Sequence, residues 1–547
     1  MTESDQPPPE GAEGSGVSRR RFLGMSALTL GTLLHGSASV PGAPAPETAE
    51  AAPPTSLAGM NVVLFITDQE RALQHFPPGW ARKNMPGLRR LQAHGLTFAN
   101  AFTNACMCSP ARSTLMSGYF PAQHGVKYTL EDDMSPPANP QVELPLPDRI
   151  ANIATVMSAS GYNVIYKGKW HCSKMAGATW EPSDVNQYGF SRWNPPDAGA
   201  NQDLTEMGGG VASHDLRFMA SRGDQATGDE GSLEFLTGAA ASLQPFFMII
   251  SLVNPHDVLA YPRLYGRSGY SREWLEGEIG LPATVSESLR DKPTAQRAFR
   301  ALSSALGPLP TDQRKRNYLN FYGNLIRSSD NFLVNILRAL QGVPTATGRT
   351  LYEDTLVIKT SDHGEMGMAH GGLRQKNFNF YEEAIRVPLV YSNPQLWPKG
   401  RTTKALVSHV DFLPTLASLF DAPANARSDW QGRDYSRLVL RKGARPVQNY
   451  VTFTYDDFQA GQPTGPYVPP PQFVVAIRES RWKLAKYYDP SGERRTQWEM
   501  YDLRTDPLET KNIAWPSYPR TKAEDAQLAR LRRKLARVEA TRLQPLA

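Results

Sequence analysis

Three uninterrupted apolar runs constrain this chain more than any other feature: Asn61-Val62-Val63-Leu64-Phe65-Ile66, Phe246-Phe247-Met248-Ile249-Ile250-Ser251-Leu252 and Thr355-Leu356-Val357-Ile358. A strand with one wet face alternates apolar and polar residues. These runs do not alternate, so each reads as a strand covered on both faces. Tyr162-Asn163-Val164-Ile165-Tyr166 is strand-like as well. Helical patterns separate the runs. The clearest spans 312–341, where Tyr318, Phe321, Leu325, Phe332, Ile336 and Leu340 fall on a helical repeat. Strands alternating with helices predict an α/β/α sandwich around a large, mainly parallel sheet.

Two of the runs end in acids. The first continues into Thr67-Asp68-Gln69, the last into Thr360-Ser361-Asp362-His363-Gly364-Glu365. Ligands of open parallel sheets bind beyond the carboxyl ends of the strands, which brings Asp68 and Asp362 towards one place. An Asp at a strand end also serves as a turn residue or helix cap, so position alone assigns it no chemistry.

Beyond about residue 445 the texture changes. A Pro/Gly-rich loop over Gly461–Pro471 precedes strand-like Phe473–Ile477, Trp482–Tyr488 and Glu499–Leu503, then a charged helix over 522–542. This predicts a main domain over 58–445 and a smaller C-terminal subdomain over 446–547 with an antiparallel sheet.

The N-terminus reads as an address. Residues 1–17 are polar and rich in Pro and Gly; Ser18-Arg19-Arg20-Arg21-Phe22-Leu23 then precedes an apolar stretch, Gly24 to Val40. Paired arginines before a modest apolar region resemble a twin-arginine export signal. Gly, Ser, Thr and His35 within the stretch argue against a permanent membrane span. Residues 1–52 are therefore expected to be signal and linker, with cleavage within 38–52. The expected partner is the twin-arginine export machinery and the expected location is periplasmic or secreted. That route carries folded proteins, so folding would finish before export.

Net charge is +6. Removing the first 45 residues takes away three arginines and four acids and moves it to +7. The excess suits an anionic substrate but is too diffuse for nucleic acid, since no Lys/Arg stripe is interleaved with aromatics. The three cysteines, Cys106, Cys108 and Cys172, imply no disulfide framework.

One of them stands in Cys108-Ser109-Pro110-Ala111-Arg112-Ser113-Thr114-Leu115-Met116-Ser117-Gly118, with a helix starting near Pro110. The segment resembles the signature of the type I (formylglycine-dependent) sulfatases of the alkaline phosphatase superfamily. In that signature a formylglycine-generating enzyme reads Cys-x-Pro-x-Arg and oxidises the cysteine. Ala111 replaces the commoner Ser. The resemblance implies that Cys108 becomes a hydrated aldehyde with two geminal hydroxyls, one to attack sulfur and one to expel sulfate afterwards. Arg112 would stabilise the hydrate. Cys106 and Cys172 read as ordinary cysteines.

Further blocks carry the resemblance on. Asp68, Gln69, Cys108, Asp362 and His363 are implied as metal ligands. Oxygen donors suit Ca²⁺, and the imidazole of His363 leaves Mn²⁺ open. Lys167-Gly168-Lys169-Trp170-His171 is similar to the Gly-Lys-Trp-His motif. Lys169 would contact a sulfate oxygen, and His171 would take a proton as sulfate leaves. Two apart on an extended chain, they would face one side. His256 of Asn254-Pro255-His256-Asp257 would give a proton to the departing alcohol. Lys376 would contact sulfate and leaving group; it precedes Tyr381 by five positions where the family often has four. Val410–Thr415, Trp482–Leu484 and Tyr501–Glu509 extend the likeness, so that it runs from about Asn61 to Ala514.

The resemblance therefore implies a sulfuric ester hydrolase acting on a small-molecule or carbohydrate sulfate ester. Asp68-Gln69 and Asp362-His363 are shared with choline sulfatases and with phosphonate monoester hydrolases, and hydrolysis of phosphonate monoesters or phosphodiesters is the alternative. A non-catalytic binder of sulfated glycans would require an unmodified Cys108 or a missing ligand. Residues 185–235 and 258–310 are expected to wall the substrate pocket.

Overall fold

The computed structural model describes residues 54–131, 145–199, 207, 214–220, 230–238, 241, 243–462 and 465–546. The reading of residues 1–52 as signal and linker, and part of the pocket-wall reading over 185–235, lie outside these residues.

The apolar runs form the middle of an eight-stranded sheet. Strands β1 (Asn61–Asp68), β3 (Asn163–Gly168), β4 (Phe246–Pro255) and β5 (Thr355–Ser361) stand in the order β3-β4-β1-β5, all parallel. β2 (Gly95–Phe102), β6 (Arg386–Val387), β7 (Leu389–Ser392) and β8 (Arg401–Ser408) complete the sheet. β7 is antiparallel to β5 and β2, and β6 is antiparallel to β2, whereas β8 runs parallel to β2. The expected mainly parallel sheet is therefore present with a mixed edge.

Strand periodicity explains the two layers. Along β1, Val62, Leu64 and Ile66 enter one apolar cluster with Met157, Trp170 and Leu416. Val63 and Phe65 enter another with Tyr318, Leu325 and Ile336 of the helix Asp312–Gly342. Successive side chains point to opposite faces, so an unbroken apolar run requires a covering layer on each.

Strands β9 (Tyr450–Tyr455), β10 (Phe473–Glu479), β11 (Trp482–Tyr488) and β12 (Gln497–Asp502) form the antiparallel C-terminal sheet, in the order β12-β11-β10-β9. The helix Lys522–Arg542 packs on it through Leu528, Leu531, Leu535 and Val538. Phe453, Tyr487 and Tyr501 of this sheet share an apolar cluster with Phe102, Phe378 and Tyr381. The small sheet thus backs the loop that carries Lys376.

Candidate active site and metal centre

The carboxyl ends of β1 and β5 lie side by side, with Thr67 paired to Ser361. Asp68 and Asp362 follow directly. The helix Cys108–Ser117 begins at Cys108, with Met107 extended before it, and all ten of its residues are buried. Its first residue meets the strand ends. Cys108 Sγ is 3.1 Å from His363 Nε2 and 3.6 Å from Asp68 Oδ1. One donor atom from each of Asp68, Cys108, Asp362 and His363 lies within 4.8 Å of every other.

Arg112 binds the two halves of this centre. Its Nε donates to Asp362 Oδ2 at 2.9 Å and its Nη2 to Asp68 Oδ2 at 3.2 Å. Nη1 donates to Lys169 O and to Ser251 Oγ. Lys169 Nζ is 2.8 Å from Asp68 Oδ2 and donates to Gly199 O. Removing one member of such a buried ion pair costs about 3–5 kcal/mol, because the partner charge is stranded.

Charge distribution follows from this geometry. Burial would raise Asp68, yet Lys169, His256 and Arg112 hold it well below the usual carboxylate range. Burial and then Asp68 push Asp362 up to about 6. Burial, reinforced by Asp68, pushes the Cys108 thiol up to about 12. A thiol in that range stays protonated near neutral pH and is a poor nucleophile as it stands. Burial lowers His171, His256 and His363, with Lys169 adding to it for the first two and Lys376 for the third. A neutral imidazole is the form that ligates metals.

The donor set fits a divalent cation. Two buried carboxylates and a neutral imidazole converge on one point, and burial together with the Asp68 charge, both of which a cation would offset, raises Asp362. Gln69 approaches differently. Its amide oxygen accepts Lys376 Nζ at 2.7 Å and its amide nitrogen donates to Glu365 Oε2 at 2.5 Å. Its backbone N–H donates to Asp362 Oδ1.

Lys169 and His171 reach the centre by another path than an extended chain. Gly168 has φ 99° and His171 φ 54°, both left-handed. A Cβ on Gly168 would lie 2.0 Å from Ser251 O, so glycine alone permits this approach of β3 to β4. Asp197 then clamps the turn, accepting from the backbone N–H of Trp170 at 2.7 Å and of His171 at 2.6 Å. Nothing in the spacing of Asn194-Pro195-Pro196-Asp197 marks this role in the sequence.

A cavity of about 340 Å³ opens onto the centre. Cys108, His171, His256 and Lys376 line one part of it. Leu259, Phe299, Leu302 and Leu306 form an apolar wall, with Arg263 and Glu131 also lining the space. The apolar wall comes from 258–310, one of the two expected segments; Gly199 is the lining residue from 185–235 among the described residues, and Ala460, Gly461 and Gln462 line the cavity from outside both. Lys376 arrives despite its extra residue. Gln375 and Phe378 beside it take φ 65° and 55°, compact left-handed steps within the loop. Sequence reasoning missed Ser251, Asp197, Glu365 and Gln375.

Comparison with known proteins agrees with this architecture. Residues 60–422 match the sulfatase family, and 370–540 match the N-sulphoglucosamine sulphohydrolase C-terminal family. The choline-sulfatase of Rhizobium meliloti is 25% identical over 495 residues, covering 86% of this chain and 85% of that protein. The solved structure of BT1596, a 2-O GAG sulfatase, superposes with a TM-score of 0.65 at 19% identity, covering 89% of this chain and 92% of that one. The phosphonate monoester hydrolase of Silicibacter pomeroyi gives 0.61 at 21% identity, covering 88% and 96%. With a family match over residues 60–422, most of its length, the chain belongs to the sulfatase family, an enzyme that hydrolyses sulfate esters.

Proposed function

We propose that hydrolysis runs through a formylglycine made from Cys108, with a divalent cation held by Asp68, residue 108, Asp362 and His363. The supporting observation is the convergence of those four residues, from three distant segments, within 4.8 Å. Ca²⁺ suits the oxygen donors, and Mn²⁺ is the alternative that the His363 nitrogen favours. The amide oxygen of Gln69 has a second lone pair beyond the one Lys376 takes, and is the proposed fifth ligand.

The cation would neutralise the oxygens of the bound sulfate. Once oxidised, residue 108 supplies a hydrated aldehyde, one hydroxyl attacking sulfur and the other reforming the carbonyl as sulfate leaves. Arg112 and Lys169 hold Asp68, and would stabilise the hydrate at residue 108 and present positive charge to the oxyanion. His171 takes a proton from the second hydroxyl. His256, lowered by burial and Lys169, would take up a proton from solvent as the anionic ester binds and pass it to the leaving alcohol. Lys376 contacts the sulfate and the leaving group.

The alcohol sits against Leu259, Phe299, Leu302 and Leu306, which suits an aryl group or the apolar face of a sugar. Relatives include an ulvan-active sulfatase, a choline-sulfatase and arylsulfatase K, and a small-molecule or carbohydrate sulfate ester is the proposed substrate. The formylglycine-generating enzyme and the twin-arginine export machinery are the proposed partners, and the periplasm or exterior the proposed location.

Phosphonate monoester hydrolysis is the second reading, favoured by the Gln69 and His363 variants and by the fold shared with such hydrolases. Turnover of 4-nitrophenyl sulfate against phenyl phosphonate esters separates the two. Sulfate turnover should dominate; phosphonate turnover higher by orders of magnitude would overturn the proposal.

A further inference from the structure

Glu365 lies outside the proposed catalytic set, and its carboxylate is fully buried. It accepts from four donors: Gln69 Nε2 at 2.5 Å, Tyr318 OH at 2.7 Å, Gln375 N at 2.9 Å and Gly367 N at 3.1 Å. Two of those donors lead to Lys376.

The first route is the Gln69 amide. An amide has two ends of opposite character, and the Glu365 carboxylate stands as an acceptor, with two backbone N–H groups already donating to its Oε1. Facing Glu365, Gln69 must present its NH₂ there, and its carbonyl oxygen is thereby turned to Lys376 Nζ, 2.7 Å away. The second route is the backbone. Gln375, next to Lys376, sits at φ 65° with its N–H on Glu365 Oε1. A non-glycine residue holds that conformation only where its surroundings over-determine it.

We infer that Glu365 is a positioning residue: by orienting the Gln69 amide and fixing the Gln375 turn, it aims the Lys376 ammonium into the sulfate site. The inference rests on the proposed role of Lys376. It gives a function to the otherwise unexplained carboxylate three residues beyond Asp362. In Glu365→Gln the acceptor becomes a group that can also donate, so the Gln69 amide loses its fixed sense. Lys376 then faces either end of it.

The test is a double-mutant cycle on the formylglycine-bearing, metal-loaded enzyme with 4-nitrophenyl sulfate. Lys376→Ala should lower kcat. Glu365→Gln should lower kcat by about 10–100-fold, the scale set by small misplacements of a catalytic group, with KM changed less. In the Lys376→Ala background it should add less than about 2-fold, because the two act as a unit. Formylglycine content, metal content and melting temperature are measured for each variant. If Glu365→Gln does not fold, Glu365→Asp keeps the carboxylate but withdraws it from the Gln69 amide, and should show the same non-additivity. A full, independent loss in the Lys376→Ala background overturns the inference, as does an inert Glu365→Gln beside a damaged Lys376→Ala. An inert Lys376→Ala overturns both the inference and the proposed role of Lys376.

Discussion

Cys108 Sγ lies 3.1 Å from His363 Nε2, although 255 residues separate them in the chain. The contact joins the start of a buried helix to the residues just beyond β5. Replacing Cys108 by Ala removes only a buried sulfur. Turnover should fall by at least about 10³-fold, the scale of losing a nucleophile. The melting temperature should move by a few degrees at most. Unfolding of the variant would instead assign Cys108 a packing role.

Asp362→Asn keeps shape and removes charge. Metal content measured by elemental analysis should drop well below that of the parent, and activity with it. Unchanged metal content would remove Asp362 from the ligand set. Because Arg112 donates to the same carboxylate, some loss of stability is expected too. A chelator applied to the parent distinguishes the two effects.

A pH-dependent term in stability comes from His370. Burial lowers it, but hydrogen bonds to Glu287 and Glu383 prevail and carry it from the ordinary 6.5 to about 9. A group raised on folding stabilises fully below its unfolded value and loses that contribution as pH rises through its folded value. Stability should therefore decline between about pH 6.5 and pH 9. The contribution is on the order of 3 kcal/mol. His370→Gln should flatten that slope in denaturant melts taken across the window; an unaltered slope would exclude His370 as its source.

Much of the architecture was legible because burial on both faces leaves unbroken apolar runs, as in β1, β4 and β5. Strand β2 was not, since Gly95, Thr97, Ala99 and Asn100 give it neither a run nor an alternation. The proposed catalytic residues stood in recognisable blocks. Their supports did not: Asp197 and Glu365 act through backbone N–H groups and one amide, which leave no periodic trace. The path of Lys169 and His171 was misjudged for a related reason. The left-handed turn at His171 is imposed by Asp197, far along the chain, rather than by its own residue type.

Phe299 tests the alcohol side of the cavity. Phe299→Ala should raise KM for an aryl sulfate by about 10-fold with little change in kcat, as expected when binding common to ground and transition states is lost. An equal fall in kcat at constant KM would place Phe299 in the chemistry itself.

The proposed export route makes a separate prediction. Changing Arg20 and Arg21 together to Lys should retain the protein in the cytoplasm in cell fractionation. Normal appearance outside the inner membrane would refute the twin-arginine reading.

Peptide mass spectrometry at position 108, on protein from a host with the modifying enzyme, tests the central claim most directly. The peptide should be about 18 Da lighter than its thiol form, as conversion to an aldehyde requires. Sulfate turnover should rise in proportion to the converted fraction. Full turnover from protein carrying only the intact thiol would contradict the account.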